Sequence, residues 1–546
     1  MYISIILGSL PILIMALAFL LPVLSIFIKR KVVFDICFLF IAFLSLILSA
    51  EILFSVVGTQ EYLLYPFGGW PPPLGIVYVA DYFSATLATT ISFVILTVAM
   101  YTVWYTRHLE GYVWLYTLIL ALEAGLLGVI YSGDIFNLYV MLEVVAISSY
   151  GLVAFYTFRR RPLASAARYS ILGIMFLTFY FLAVVIIYSS LGTLNIGDLA
   201  LKLRPQIIHL QNYTIISAYS SEYTNTIAEI LEETALPLSI ALLISIWVFT
   251  FISALFPNHF WLPDAHSEAP TPASAILSGL VVKVGVYASI RFLYTIFGPN
   301  TAFVHIRELL LNVLMLLGII SSLFASIMMA LQDDSKRMLA YSTIVNIGFI
   351  YMGISMGSVM GLASAIYHLI NHAIGKALIF ISIGLLIRAS RTRNLYGMAG
   401  IGRQYPLVTF IIIMSSLHLI GLPPFGGFFS KLLLYQSFIE KGALVPALTV
   451  VIASAIVAYG YFKLIEAIWH TPPISTITIS RRPIPILSGI SMVIMTASIL
   501  MLGFFAPIII DSVNAIAHEI VNEYTNYIEA ISKLATILTP KGVGLP

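Results

Sequence analysis

Apolar windows of about 20 residues recur along this chain from one end to the other, and each is long enough to carry a helix across a bilayer core. Backbone immersed in lipid must satisfy its own hydrogen bonds, so windows of this kind fold as helices. They fall near 2–28, 33–55, 82–105, 112–131, 135–157, 166–191, 237–256, 272–298, 304–331, 338–357, 361–387, 405–437, 445–470 and 484–510. The expected fold class is therefore an all-α polytopic membrane protein with about 14 transmembrane helices. Composition agrees: the 546 residues are 60% hydrophobic and 9% charged, where a soluble domain carries about a quarter charged residues.

The basic residues test the count independently. Loops of one parity hold Lys29, Arg30, Lys31, Arg107, Arg159, Arg160, Arg161, Lys336, Arg337, Arg388, Arg391, Arg393, Arg403, Arg481 and Arg482. The opposite loops hold Lys202, Arg204, Arg307 and Lys441, with Lys533 and Lys541 in the tail. Positive charge stays on the cytoplasmic side, so both termini are expected outside a cell membrane. The apolar start, Met1–Phe27, has no basic leader or small-residue cleavage site and is read as the first span. A net charge of +3 without basic runs between aromatics gives no ground for nucleic acid. The lone Cys37 excludes a disulfide framework and cysteine-based metal or iron–sulfur sites.

Two spans are interrupted. FPNHFWLPDAHSEAPTP follows the seventh, with Pro257 and Pro263 among His259, Asp264, His266 and Glu268; GLPPFGGFFSK interrupts the twelfth, with Pro423, Pro424, Gly426 and Gly427 before Lys431. Proline ends a helix, and inside a bilayer such a break persists only beside protein or water. Paired breaks in corresponding positions are the trace of inverted repeats around a mid-membrane site. The expectation is two inverted five-helix repeats, helices 4–8 and 9–13. Ordinary kinks are the alternative.

Charges inside the spans are costly, at about 2.5–3.5 kcal/mol each on insertion scales, and mark function more often than packing. They are Glu123, Glu143, Lys283, His368, His372, Lys376 and Lys431. His368, His372 and Lys376 repeat at i, i+4, i+8 and share one helical face. A proton relay is the reading of that face, with a hydrogen-bonded structural face as alternative. Leu369 breaks the HExxH zinc pattern, so no metal is expected. Asp333, Asp334, Lys336 and Arg337 read as a solvated loop cluster.

Four parts follow: 1–111 with an interfacial cap at 58–80; 112–298 with a surface insertion at 193–235; 304–470; and 471–546, the last span with a tail. The tail stripe Ile516, Ile520, Val521, Tyr524, Ile528, Ile531 and Leu534 is expected to lie on the membrane or a partner, and PKGVGLP reads equally as solvated.

The two break segments, together with SGDIFNLYVMLEVVAISSYGLVAF, DDSKRMLAYSTIVNIGFI, HLINHAIGKALIF and NLYGMAGIGRQYP, resemble the proton-translocating antiporter superfamily from about Asp81 to Arg482. That superfamily includes antiporter-like subunits of NADH:quinone oxidoreductase, the D-type subunits of Mrp sodium/proton antiporters and counterparts in membrane-bound hydrogenases. The resemblance implies an ion-translocating subunit moving H+ or Na+ along Glu143, Lys283, His368, His372, Lys376 and Lys431. Glu123, Arg168, His259, Asp264 and His266 are accessory candidates, with Arg168 a possible mate for Glu143. The family's lysine in the seventh helix is replaced by Ile252. Implied partners are homologous antiporter-like subunits, small membrane subunits and hydrogenase or dehydrogenase subunits. No flavin, nicotinamide or quinone motif is visible, so no cofactor and no covalent chemistry are expected of this chain. The alternatives are a self-contained carrier for an ion or small solute and a non-conducting structural subunit.

Overall fold

The computed structural model describes residues 2–204, 229–470 and 483–539. Arg481, Arg482, the middle of the expected insertion and PKGVGLP lie outside the described residues. Among the described residues thirteen helices are long and apolar enough to cross a membrane. The count reaches fourteen if the bent pair Tyr396–Gln404 and Pro406–Ile420 is one span; the window of span 12 folds as two short helices, Pro406–Ile420 and Gly426–Glu440. Span 7 is shorter than its sequence window: helix Ala235–Ile252 stops before Phe256, and the chain resumes as Trp261–Glu268.

Burial follows the ionisable residues. The apolar windows of span 8 (Thr271–Ile296) and span 10 (Ser335–Ser355) are wholly enclosed, and that of span 11 (Val359–Ser390) is 94% buried. Spans 1, 2 and 6, Tyr2–Phe27, Lys31–Thr59 and Arg160–Leu191, bury less than two-fifths of theirs. Stretches with charged side chains at mid-span lose least by facing other helices, whereas long apolar stretches can face lipid. Span 8 is not a plain α-helix. Leu277–Val281 and Arg291–Ile296 wind as π-helix around the α-helical Val282–Ile290, which carries Lys283.

The same small motif occurs twice. Asp134 caps span 5 (Ile135–Val153) by accepting from Phe136 and Asn137 amides, and Asp334 caps span 10 by accepting from Lys336 and Arg337 amides. Beside Asp134, Ile135 N donates to Leu194 O and Ile196 N to Gly133 O, both at 2.9 Å. Beside Asp334, Ser335 N donates to Arg393 O at 2.9 Å and Leu395 N to Asp333 O at 2.8 Å. Five candidate spans, 5 to 9, separate the two motifs along the chain.

The end nearer Asp134 also carries a hairpin, β1 (Leu63–Pro66) antiparallel to β2 (Val77–Ala80), within the expected cap. Two tail helices, Ala506–Asn522 and Tyr524–Leu538, lie on this hairpin face. Their stripe is covered by the protein itself: Ile516, Ile520, Ile528 and Ile531 are buried, and Ile531 packs against Gly197. The chain thus supplies its own cover for the amphipathic tail. Arg204, at the start of the expected surface insertion, is fully enclosed, donating to Ala200 and Ile296 carbonyls under the Tyr524 ring.

Candidate site: a buried file of basic side chains

The break in span 12 builds the first position. The helix ends at Ile420, where Gly421 takes φ +90°, a left-handed conformation that suits glycine. The halves approach closely enough that a Cβ on Gly427 would stand 1.9 Å from His418 O. The end of a half-helix exposes carbonyls without intrahelical partners and the negative end of its dipole. Lys431 uses both: its Nζ donates to Ile420 O at 2.8 Å, Leu419 O at 3.2 Å and Ser454 Oγ at 3.0 Å, 5.1 Å from the centre of the Phe349 ring.

One residue back, Ser430 Oγ is 2.9 Å from His368 Nδ1, and His368 Nε2 is 3.0 Å from Asn346 Oδ1. The amide oxygen only accepts, so Nε2 carries hydrogen and a neutral ring accepts from Ser430 at Nδ1. When the ring gains a proton, Nδ1 donates to Ser430, whose hydrogen turns to Gly427 O at 3.1 Å. Both protonation states are hydrogen-bonded without moving a heavy atom.

Further along span 11, the His372 ring lies 6.3 Å from that of His368, and neither of its nitrogens has a hydrogen-bond partner among the described residues. Lys376 Nζ donates to Leu339 O at 2.9 Å and Tyr461 hydroxyl at 3.4 Å. Lys283 Nζ donates to Ser278 O at 2.6 Å, across the first π turn of span 8. Among the described residues none of these lysines has a carboxylate partner, and Lys283, His368, His372, Lys376 and Lys431 are each at least nine-tenths buried. Lys283 is within electrostatic reach of His372, His368 and Lys376.

The accessory candidates separate. His266 is fully buried, stacked 5.3 Å from Phe380, with both ring nitrogens unpaired. Its neighbour is Lys336, which the sequence assigned to a solvated loop. The Asp334 cap instead sets Lys336 in the first turn of span 10, where its Nζ donates to Ala269 O at 2.7 Å and Ser274 Oγ at 3.2 Å. Asp264 is engaged elsewhere, with Arg337 at 2.9 Å and Arg168 at 3.7 Å. Arg168 is therefore not the mate of Glu143: its side chain is 75% exposed and directed to Asp264. His259 packs on Phe256 and Phe324 rings at 5.3 and 5.2 Å.

In the first half Glu143 is only partly buried, beside Tyr139, and forms no ion pair among the described residues. Ile252 lines an apolar cleft with Leu142, Val145, Ala146 and Val281. Glu123 is enclosed: one carboxylate oxygen accepts from Ser45 Oγ at 2.6 Å, and the other has no partner among the described residues. Sequence reasoning missed Lys336, Ser430, Asn346, Tyr461 and His418, whose Nε2 donates to Asn371 O at 3.0 Å. Hydroxyls and amides in helices carry no charge signal. Lys336 was recoverable from the Asp334 cap, which fixes where its helix begins.

A multi-pass membrane bundle with an enclosed file of lysines and histidines at a broken helix defines the class. Residues 132–457 match the family described as NADH:quinone oxidoreductase/Mrp antiporter, TM, and the chain belongs to that family. It is 34% identical to NADH-quinone oxidoreductase subunit N of Desulforudis audaxviator over 409 residues, 74% of each chain. It is 30% identical to the D-type Na(+)/H(+) antiporter subunit of Alkalihalophilus pseudofirmus over 476 residues, covering 85% of this chain and 87% of that one. A chain from the membrane-bound sulfane sulfur reductase, an archaeal respiratory membrane complex, superposes with TM-score 0.84 at 27% identity, covering 97% of this chain and all of the other. A chain of the Mrp complex from Dietzia shares the fold, with TM-score 0.81, 22% identity and 96% and 99% coverage.

Proposed function

We propose that this chain translocates protons, alone or in exchange for sodium, through Lys283, His372, His368 and Lys431, with Lys376 and His266 leading toward the arginine-rich face. The observation that carries this is a set of enclosed basic groups without counter-ions among the described residues. Neighbouring amines and imidazoles in low dielectric cannot all be charged together, so a proton gained at one position displaces a proton at the next. His372, with no hydrogen-bond partner among the described residues, is the position where water completes the file. The Lys431 cradle of half-helix carbonyls holds a cation at the far end without an acidic residue.

The matched Asp134 and Asp334 motifs support helices 4–8 and 9–13 as inverted repeats, with the hairpin face outside by the charge alternation. The two halves are unequal. An apolar cleft at Ile252 and a Glu143 without an ion pair among the described residues favour a first half that acts as an electrostatic gate or is silent. The similarities to subunits of energy-converting complexes support other antiporter-like subunits as partners, with small membrane subunits and hydrogenase, reductase or dehydrogenase modules as further ones.

The test is proton flux in the reconstituted native complex. Lys431→Ala is expected to abolish translocation while the complex still assembles; full coupled transport by that variant would overturn the assignment. Subunits co-purifying with the native complex distinguish redox coupling from antiport, and full transport by this chain alone would favour the self-contained carrier.

A further inference from the structure

A polar seam lies apart from the file, between spans 2 (Lys31–Thr59), 3 (Tyr82–Tyr105) and 4 (Tyr112–Tyr131), ahead of the residues that match the family. Glu123 of span 4 is fully enclosed, and its Oε1 accepts from Ser45 Oγ of span 2 at 2.6 Å. Ser45 and Ser49 stand one turn apart on span 2, and the hydroxyl oxygen of each lies 3.0 Å from Ser92 Oγ of span 3. All three serines are fully buried. Thr89 Oγ1 ties the same two helices together by donating to Ser49 O at 3.1 Å.

Glu123 Oε2 has no hydrogen-bond partner among the described residues. Among those residues no charged side chain reaches the carboxyl either. Lys31, Asp35 and Tyr116 are engaged with one another near the start of span 2, the ion pair at 2.5 Å and the Tyr116 hydroxyl 2.6 Å from Asp35. Asp81, ahead of span 3, pairs with Arg291 at 2.5 Å, both side chains nearly enclosed. Two turns along span 4 from Glu123, Tyr131 brings a second enclosed and unpaired oxygen to the same helical face.

We propose that Glu123, Ser45, Ser49 and Ser92 form a binding site for a small monovalent cation, sodium, which competes with a proton for the carboxylate. An enclosed carboxylate without a counter-charge is costly, and either a proton or a cation relieves it. A proton on Oε1 serves Ser45 and leaves Oε2 bare, and a proton on Oε2 meets no acceptor among the described residues. A cation on Oε2 removes the charge and completes that oxygen at once. Each serine hydroxyl has one hydrogen and two lone pairs, so turning the hydrogen toward a neighbour frees a lone pair for the ion. The donors are all oxygens, which suits a hard cation. A single carboxylate is neutralised by one positive charge, whereas a divalent ion would leave an enclosed charge unbalanced. Oxygens crowded to 2.6–3.0 Å close around a sodium-sized ion more readily than around potassium.

The experiment measures sodium bound to the native complex in detergent by equilibrium dialysis with radioactive sodium. Glu123→Gln should lose the equivalent of a single sodium ion per copy of this chain, and Ser92→Ala should weaken that binding. Bound sodium should fall as pH falls, because the proton takes the same carboxylate. Lys431→Ala should keep the bound sodium, since the site does not depend on the file. A second measurement needs no substitution. An apolar carbodiimide reacts with protonated carboxyls, and mass spectrometry reads its addition to Glu123 in the native complex. Sodium at about ten times its Kd should slow that addition roughly tenfold, and potassium at the same concentration should not. Equal sodium stoichiometry in the native complex and Glu123→Gln would overturn the site. Reactivity of Glu123 that is the same in sodium and potassium would overturn it as well, leaving a carboxyl that binds protons only.

Discussion

Ser430 and His368 stand 2.9 Å apart across the junction of spans 12 and 11, one residue from Lys431. The serine hydroxyl complements either protonation state of the ring, so it couples the histidine to the broken helix that holds the lysine.

Ser430→Ala leaves a buried ring nitrogen unpaired, at a cost of about 1–3 kcal/mol in one protonation state. Translocation should slow roughly 5- to 150-fold, since about 1.4 kcal/mol is a factor of ten. Ser430→Thr keeps the hydroxyl and should retain most of the rate. Proton flux in proteoliposomes separates the two, and an unchanged rate in the alanine variant would remove His368 from the path.

Ile252 and Glu143 test the silence of the first half. Ile252→Lys introduces a buried amine costing about 2.5–3.5 kcal/mol on insertion scales, so yield should fall while flux per assembled complex stays near native. Glu143→Gln should reduce flux by roughly threefold at most, about 0.7 kcal/mol. Loss of transport in Glu143→Gln alongside native transport in Lys431→Ala would reverse this division of labour.

Breaking the Arg291–Asp81 pair leaves an enclosed charge unpaired. Asp81→Ala should destabilise the fold by about 3–5 kcal/mol, more than the double replacement Asp81→Asn with Arg291→Gln. Thermal unfolding in detergent reads the difference, and equal losses would show that the pair contributes little as a pair.

Orientation is tested by labelling single cysteines in a Cys37→Ser background. Arg160→Cys and Arg391→Cys should react from the cytoplasmic side, and Trp70→Cys in the hairpin turn from the other. Arg160 and Arg391 on opposite sides would end both the fourteen-span topology and the inverted repeats.

The sequence by itself determined the membrane class, the span count, the two breaks and the side chains Lys283, His368, His372, Lys376 and Lys431. Each is written in local terms: hydropathy over one helix length, prolines that stop a helix, and charges whose burial is costly wherever the helix turns. What lies opposite a side chain is not local. Only the tertiary structure brought Ser430 to His368, the Ile420 carbonyl to Lys431 and the tail's Tyr527 ring to Arg291. It also drew Lys336 from an expected solvated loop into the break of span 7, and turned Arg168 from Glu143 to Asp264. The physical reason is the same for all of these. A helix's sequence fixes which residues share a face, but the partner that face meets depends on how the helices pack, and neutral hydroxyls, amides and carbonyls become recognition groups only once that packing has removed water.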